Sequence, residues 1–233
     1  MTLWIVNGKI WDDEAGDLVT AHIRVEGGEI AAIVRGDEPV ADGAETIDAS
    51  GLLVSSGFID MHVHLRDPGF THKEDIASGT RSAARGGFTT IACMPNTRPV
   101  ADNPETVRYI AEKAAREGVV NVLPIAAITK GELGRELTDF AALQAAGAIG
   151  FSDDGVGVQN ARMMKEAMAR ARELGLPIIA HCEDDSLTEG AWATEGAFSR
   201  RHGLKGIPNE SEAIHVGRDV LLAEATGAHY HVC

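Results

Sequence analysis

Cysteine is scarce in this chain. Cys93, Cys182 and Cys233 are the only three among 233 residues, and no two of them form a C-x-x-C pair. Each lies in an apolar, strand-like run. So odd and sparse a set speaks against a disulfide framework and fits a reducing cytoplasm. Positive charge is also short: 21 Lys and Arg against 35 Asp and Glu leave a net charge of -14. A nucleic-acid partner requires a basic face, so this balance disfavours one. The same field repels an anionic substrate, which local positive charge such as a metal ion or Arg66 must then draw in. No apolar run approaches the length of a membrane span, so no membrane partner is expected. Residues 1–10 show no basic segment leading into an apolar core, so no signal peptide is expected. Against these shortages stands a hydrophobic fraction of 44%, enough for a sizeable core, in a length that fits one large domain or a domain with an appendage.

Residues 1–53 read as a small antiparallel β-domain. Leu3-Trp4-Ile5-Val6 leads into an Asn7-Gly8 turn and Lys9-Ile10-Trp11. Ala21–Val25 alternates with period two, Glu26-Gly27-Gly28-Glu29 is a turn, and Ile30–Val34 follows. Trp4, Trp11 and His22 read as packing or surface residues.

From residue 54 the pattern changes to apolar strand runs alternating with amphipathic helices, the signature of βα units on a parallel sheet. The strand candidates are 57–64, 88–94, 120–127, 148–152, 177–182 and 228–233, apolar throughout as expected of strands covered on both faces. Thr71-x-x-Glu74 reads as a capping box that opens a helix ending near Gly86-Gly87. Asn103-Pro104, Thr138 or Asp139, Asn160 and Ser211 open the later helices, and Gly118, Gly147, Gly175 and Gly227 close them. Residues 186–208 read as a long polar loop. A (β/α)8 barrel takes about 250 residues, and six strand-helix units are visible here. Either the sheet is open or the chain is the front portion of a longer barrel protein, and the apolar ending His231-Val232-Cys233 favours the second.

Gly57–Asp67 organises this second region. Residues i and i+2 of a strand share a face, so His62 and His64 aim two imidazoles at one point while Met61, Val63 and Leu65 pack the other way. Imidazole suits zinc and similar ions. The other strand ends carry Met94-Pro95-Asn96-Thr97, Phe151-Ser152-Asp153-Asp154-Gly155 and His181-Cys182-Glu183-Asp184. Active sites of parallel barrels lie at these C-terminal ends. Taken singly, each residue has a plainer role: one of Asp153 and Asp154 as a turn residue, His181 as a core histidine, Asn96 as a cap, Arg66 as an ion-pair partner of Asp67, Glu74 or Asp75. Their convergence on one mouth favours a metal site.

His62-Val63-His64-Leu65-Arg66-Asp67-Pro68-Gly69, Lys73-Glu74-Asp75, Gly86-Gly87-Phe88-Thr89-Thr90 and Met94-Pro95-Asn96-Thr97 resemble the dihydroorotases of the longer bacterial class, within the amidohydrolase superfamily. The resemblance covers essentially the whole chain. It implies an α/β fold, a (β/α)8 TIM barrel of amidohydrolase type with about six strands present here, flanked by a small β-domain over residues 1–53. It implies that His62 and His64 hold a first Zn2+, that Asp154 takes the strand-4 ligand position, that His181 holds a second ion, and that Arg66 and Asn96 bind the substrate carboxylate. The reaction implied is the reversible interconversion of N-carbamoyl-L-aspartate and dihydroorotate in pyrimidine biosynthesis, by attack of metal-bound hydroxide on the ring amide. A further metal histidine and the general-base aspartate of that family are expected beyond Cys233, so this chain alone is expected to be inactive. Partners implied are the small-molecule substrate and either a second copy in a homodimer or aspartate transcarbamoylase. Two other readings stand beside this one. One is an allantoinase, hydantoinase or dihydropyrimidinase, whose substrates lack the carboxylate that Arg66 would grip. The other is an inactive dihydroorotase-like partner of aspartate transcarbamoylase.

Overall fold

The computed structural model describes residues 2–36 and 43–233. The chain divides into two compact units, Met1–Gly57 and Phe58–Cys233.

The first unit is a four-stranded sheet of order β3-β2-β1-β4, built from β1 (Thr2–Asp12), β2 (Asp17–Glu26), β3 (Glu29–Arg35) and β4 (Glu45–Asp48). The first three strands pair antiparallel, and β4 runs parallel to β1. Asn7-Gly8 is not the hairpin turn expected from its sequence. It is a bulge within one long strand: the β1–β2 pairing slips between Ile5 and Gly8, and Asn7 takes φ 62°. Crowding explains the glycine, because a Cβ at position 8 would lie 2.6 Å from the Val54 side chain. His22 is a buried residue whose Nε2 lies 2.9 Å from the Gly36 carbonyl, and Trp11 is exposed.

The second unit is mixed α/β. It runs through β5 (Phe58–Val63), α1 (Ile76–Arg85), β6 (Phe88–Cys93), α2 (Pro104–Glu117), β7 (Asn121–Pro124), α3 (Phe140–Ala145), α4 (Ala161–Glu173) and β8 (Ile178–Ala180). Then follow α5 (Asp185–Thr188), β9 (Ala193–Thr194), α6 (Ala197–Arg201), β10 (Gly206–Ile207), α7 (Asn209–Thr226) and β11 (Tyr230–Val232). β5, β6 and β7 pair parallel in sequence order, and β8 pairs parallel with β11. Phe151 joins the two groups through parallel bridges to Ala126 on one side and Ile178 on the other. The six apolar segments are thus successive parallel neighbours, although the fourth contributes only the bridge at Phe151. That residue is fully buried, and its ring stacks on Phe140 at 3.9 Å.

β8 is buried along its whole length, as expected of a doubly covered strand. β5 is not: Phe58, Ile59 and Met61 are exposed, and among the described residues β5 pairs only with β6.

Asn103, Asp139 and Asn160 cap α2, α3 and α4 as their sequences predict. Two helix starts differ. Asp75, not Thr71, caps α1, with Ser78 completing the box. The preceding residues are held as a compact turn, with Phe70 N bonded to Arg66 O and Arg98 N to Pro68 O, so the helix cannot begin earlier. Position 69 has to be glycine there, because a Cβ would lie 2.1 Å from the Arg98 carbonyl oxygen. α7 begins at Asn209 behind Pro208, and Ser211 lies inside it with its hydroxyl turned to Asp184. The stretch 186–208 is not irregular throughout, since α6 and the short parallel pair β9–β10 lie within it. Among the described residues no helix is long and apolar enough to cross a membrane.

Candidate metal centre

Strand pleating brings His62 and His64 to one face at the end of β5, their ring centroids 5.2 Å apart. Asp154, three residues beyond the Phe151 bridge, meets both: Oδ1 lies 3.2 Å from His62 Nε2, and Oδ2 lies 3.6 Å from His64 Nε2. One ligand atom from each of the three residues falls within 4.8 Å of the others. The carboxylate is 8% exposed and each imidazole about a third, so the imidazoles are reachable from solvent while the carboxylate is enclosed. Two imidazole nitrogens and one carboxylate oxygen at this spacing suit a first-row divalent cation.

Asn96, just past β6, ties this group together. Its Nδ2 donates to Asp154 Oδ2 at 2.6 Å, which leaves its Oδ1 to accept from His64 Nδ1 at 3.0 Å. The proton on His64 is thereby fixed at Nδ1, and the Nε2 lone pair faces Asp154. Burial pushes His64 below its ordinary pKa while Asp154 and Asn96 push the other way; the net shift is downward, so the neutral, ligating form is favoured at neutral pH. Arg66 lies in the left-handed region at φ 56°, and its Nη1 is 3.5 Å from Asn96 Oδ1. A guanidinium therefore stands beside the imidazole–carboxylate group.

Asp153 faces away from this cluster. It is buried, and it accepts from Thr129 N at 2.9 Å and from the Thr129 hydroxyl. Burial pushes its carboxyl up to about 6. His181 directly follows β8 and lines a cavity of about 240 Å³ with Glu183, Asn209 and Cys233. Its nitrogens lie outside the His62–His64–Asp154 cluster.

Two groups here escaped the sequence reading. One is a buried Cys182–His215–Asp219 constellation; its signal was the i, i+4 spacing of Ser211, His215 and Asp219 along one face of a helix. The other is Glu132, in the tight turn 130–132, whose Oε1 is buried without a partner. Burial, then the charges of Asp153, Asp154 and Asp102, raise its carboxyl from 4.5 to about 8. A raised carboxyl binds its proton more tightly in the folded than in the unfolded state. Its contribution to stability is full below 4.5 and is lost as pH rises through 8. In metal-free protein, Glu132→Gln is expected to remove that loss, with a gain on the order of 1–3 kcal/mol at pH 9 and little change at pH 4.5. Urea unfolding at both values checks this, and an equal effect at both contradicts it.

The family model described as dihydro-orotase-like matches residues 51–233. The dihydroorotase of Geobacillus thermodenitrificans is 54% identical over 233 residues, 100% of this chain and 54% of the relative. That of Bacillus caldolyticus is 53% identical over the same shares. This chain spans about half the length of the curated relatives it matches. Among solved structures, L-hydantoinase (dihydropyrimidinase) from Arthrobacter aurescens superposes with TM-score 0.81 at 23% identity, over 99% of this chain and 52% of that one, a likeness of fold. D-hydantoinase (dihydropyrimidinase) from Thermus sp. superposes with TM-score 0.71 at 28% identity, over 99% and 51%. The match over residues 51–233 takes in the segments carrying His62, His64, Asp154 and Arg66, and the chain belongs to the dihydro-orotase-like family.

Proposed function

We propose that this chain is the front half of a zinc-dependent dihydroorotase, a cytoplasmic enzyme of pyrimidine biosynthesis whose six parallel segments belong to a (β/α)8 barrel. His62, His64 and Asp154 would hold one ion, and His181 would contribute to a second. When bound, the metal supplies activated water at neutral pH and polarises the amide carbonyl. Asn96 keeps His64 and Asp154 in ligating orientation through the two bonds of its amide. Its remaining Nδ2 hydrogen faces the Asp154 carbonyl oxygen at 3.5 Å, a weak contact that a substrate oxygen can displace. Arg66 grips the substrate carboxylate through two parallel hydrogen bonds and so orients the ring amide over the ion site. It also offsets the repulsion of a protein with net charge -14. The proton for the leaving nitrogen comes from a carboxylate beyond this chain. The complete enzyme works as a homodimer or with aspartate transcarbamoylase.

The observation that carries this reading is Arg66 Nη1 at 3.5 Å from Asn96, which itself bonds both His64 and Asp154. A hydantoin or dihydrouracil ring has no carboxylate for that guanidinium. A hydantoinase-type activity is the second reading, favoured by the solved relatives, but 54% identity to dihydroorotases outweighs 28% to D-hydantoinase. In the full-length protein, Arg66→Lys keeps the charge and loses the fork. It is expected to raise KM for dihydroorotate about tenfold or more with a smaller change in kcat. An unchanged KM, or faster turnover of hydantoin than of dihydroorotate by the unaltered enzyme, contradicts the assignment.

A further inference from the structure

α7 packs Val216, Leu222 and Ala223 half-buried against the core, yet its fully buried positions are polar. Its buried residues are Ser211, His215 and Asp219, a polar stripe at i, i+4 spacing, while Ile214, Val220 and Leu221 are exposed. A stripe of this kind is costly to bury unless every member is bonded.

The stripe reaches two loops. Arg218, at its border, donates Nη1 to the Gln159 carbonyl at 2.8 Å and Nη2 to the Val158 carbonyl at 2.7 Å. Both carbonyls belong to the loop that follows Asp154. Arg218 Nη2 also donates to His215 Nε2 at 2.6 Å, so His215 carries its proton on Nδ1 and donates it to the Glu183 carbonyl at 3.0 Å. Glu183 lies in the loop that follows His181. One helical turn earlier, the Ser211 hydroxyl accepts from Asp184 N at 3.1 Å and donates to Asp184 O at 3.2 Å. Asp219 anchors the arginine, accepting from its Nε at 2.8 Å and from the Tyr230 hydroxyl at 3.2 Å.

Cys182, His215 and Asp219 have the composition of a metal set. The guanidinium of Arg218, within 2.8 Å of both His215 and Asp219, already fills the cation's place. The group is a salt-bridged hydrogen-bond network.

We propose that α7 is a clamp that fixes the loop carrying Asp154 against the loop carrying His181, with Arg218 and His215 as positioning residues for the two sides of the site. The clamp rests on the metal reading above only in that both loops serve one centre. Close approach of the loops supports it. A Cβ on Gly157 would lie 2.8 Å from the His181 carbonyl oxygen and 3.1 Å from the His215 ring. The Gln159 amide also donates to the Glu183 carbonyl at 2.8 Å.

The test is amide hydrogen exchange on the full-length protein, followed by titration with Co2+ alone. In Arg218→Met, residues 156–159 and 183–185 are expected to exchange faster together, by about tenfold or more, with the interior of α4 unchanged. Co2+ affinity is expected to fall about tenfold with an altered visible spectrum, and Arg218→Lys, able to reach one carbonyl, recovers part of both. Wild-type protection in either loop overturns the clamp. So does loosening of both loops with an unchanged Co2+ affinity and spectrum. If the methionine variant fails to fold, Arg218→Lys decides alone: partial loosening of both loops is expected, and wild-type exchange overturns. An unaltered protein that binds no Co2+ refutes the metal reading, while the exchange measurement still decides the clamp.

Discussion

Asp154→Asn is expected to lower zinc affinity by more than ~100-fold, beyond the loss typical of partners that only orient a ligand. The substitution keeps the size of the side chain and a bond to Asn96. It removes the negative charge between the two imidazoles, 3.2 Å from His62 and 3.6 Å from His64. The neighbouring substitution separates this effect from general damage. Asp153→Asn turns one acceptor facing the Thr129 amide and hydroxyl into a donor, so it is expected to cost stability while leaving zinc content near one equivalent per site. Metal analysis after dialysis, with thermal unfolding of both variants, checks the pair. Equal zinc retention by the two variants contradicts the ligand role of Asp154.

Lys113→Met is expected to destabilise the protein by about 3 kcal/mol, the low end of the cost of breaking a buried ion pair. Asp67 is 1% exposed, and Lys113 Nζ lies 2.7 Å from its Oδ2. The Tyr109 hydroxyl donates to Oδ1 at 3.1 Å. The bond to Asp67 holds the Lys113 ammonium above its ordinary pKa. Lys113 keeps some access to solvent, but Asp67 does not, and the methionine variant strands its carboxylate. Adding Asp67→Asn to Lys113→Met removes the stranded charge and is expected to recover part of the loss. Tyr109→Phe removes one neutral donor and is expected to cost about 1 kcal/mol. Asp67 directly follows Arg66, so the same pair anchors the turn that presents the guanidinium. Urea unfolding at pH 7 measures the series, and a loss below about 1 kcal/mol for Lys113→Met contradicts the pairing.

The grouping of His62, His64 and Asp154 was legible because the chemistry is written in local periods. His62 and His64 needed only the two-residue repeat of a strand, and Asp154 only its place after an apolar run; His181 follows β8 as its sequence suggests, but its nitrogens lie outside that group. Helices opened by Asn103, Asp139 and Asn160 were legible because an N-cap acts within one turn. What failed depends on contacts distant in sequence. Asn7-Gly8 carries a hairpin signal, but Val54 crowds the glycine and the strand runs on through a bulge. Thr71 lost its helix to the turn that Arg98 holds on Pro68. Beside its proposed place at the substrate carboxylate, the Asn96 amide lies between His64 and Asp154, an orientation no spacing rule supplies. The polar face of α7 was visible as Ser211, His215 and Asp219, but it has meaning only once the loops after Asp154 and His181 lie against it.

X-ray absorption at the zinc edge of the zinc-loaded protein bears most directly on the metal centre. The expected first shell contains only nitrogen and oxygen at about 2.0–2.1 Å, with the outer-shell scattering of imidazole. A sulfur neighbour at about 2.3 Å would put a cysteine in the ion's shell, where the His62, His64 and Asp154 set supplies none, and would contradict the account.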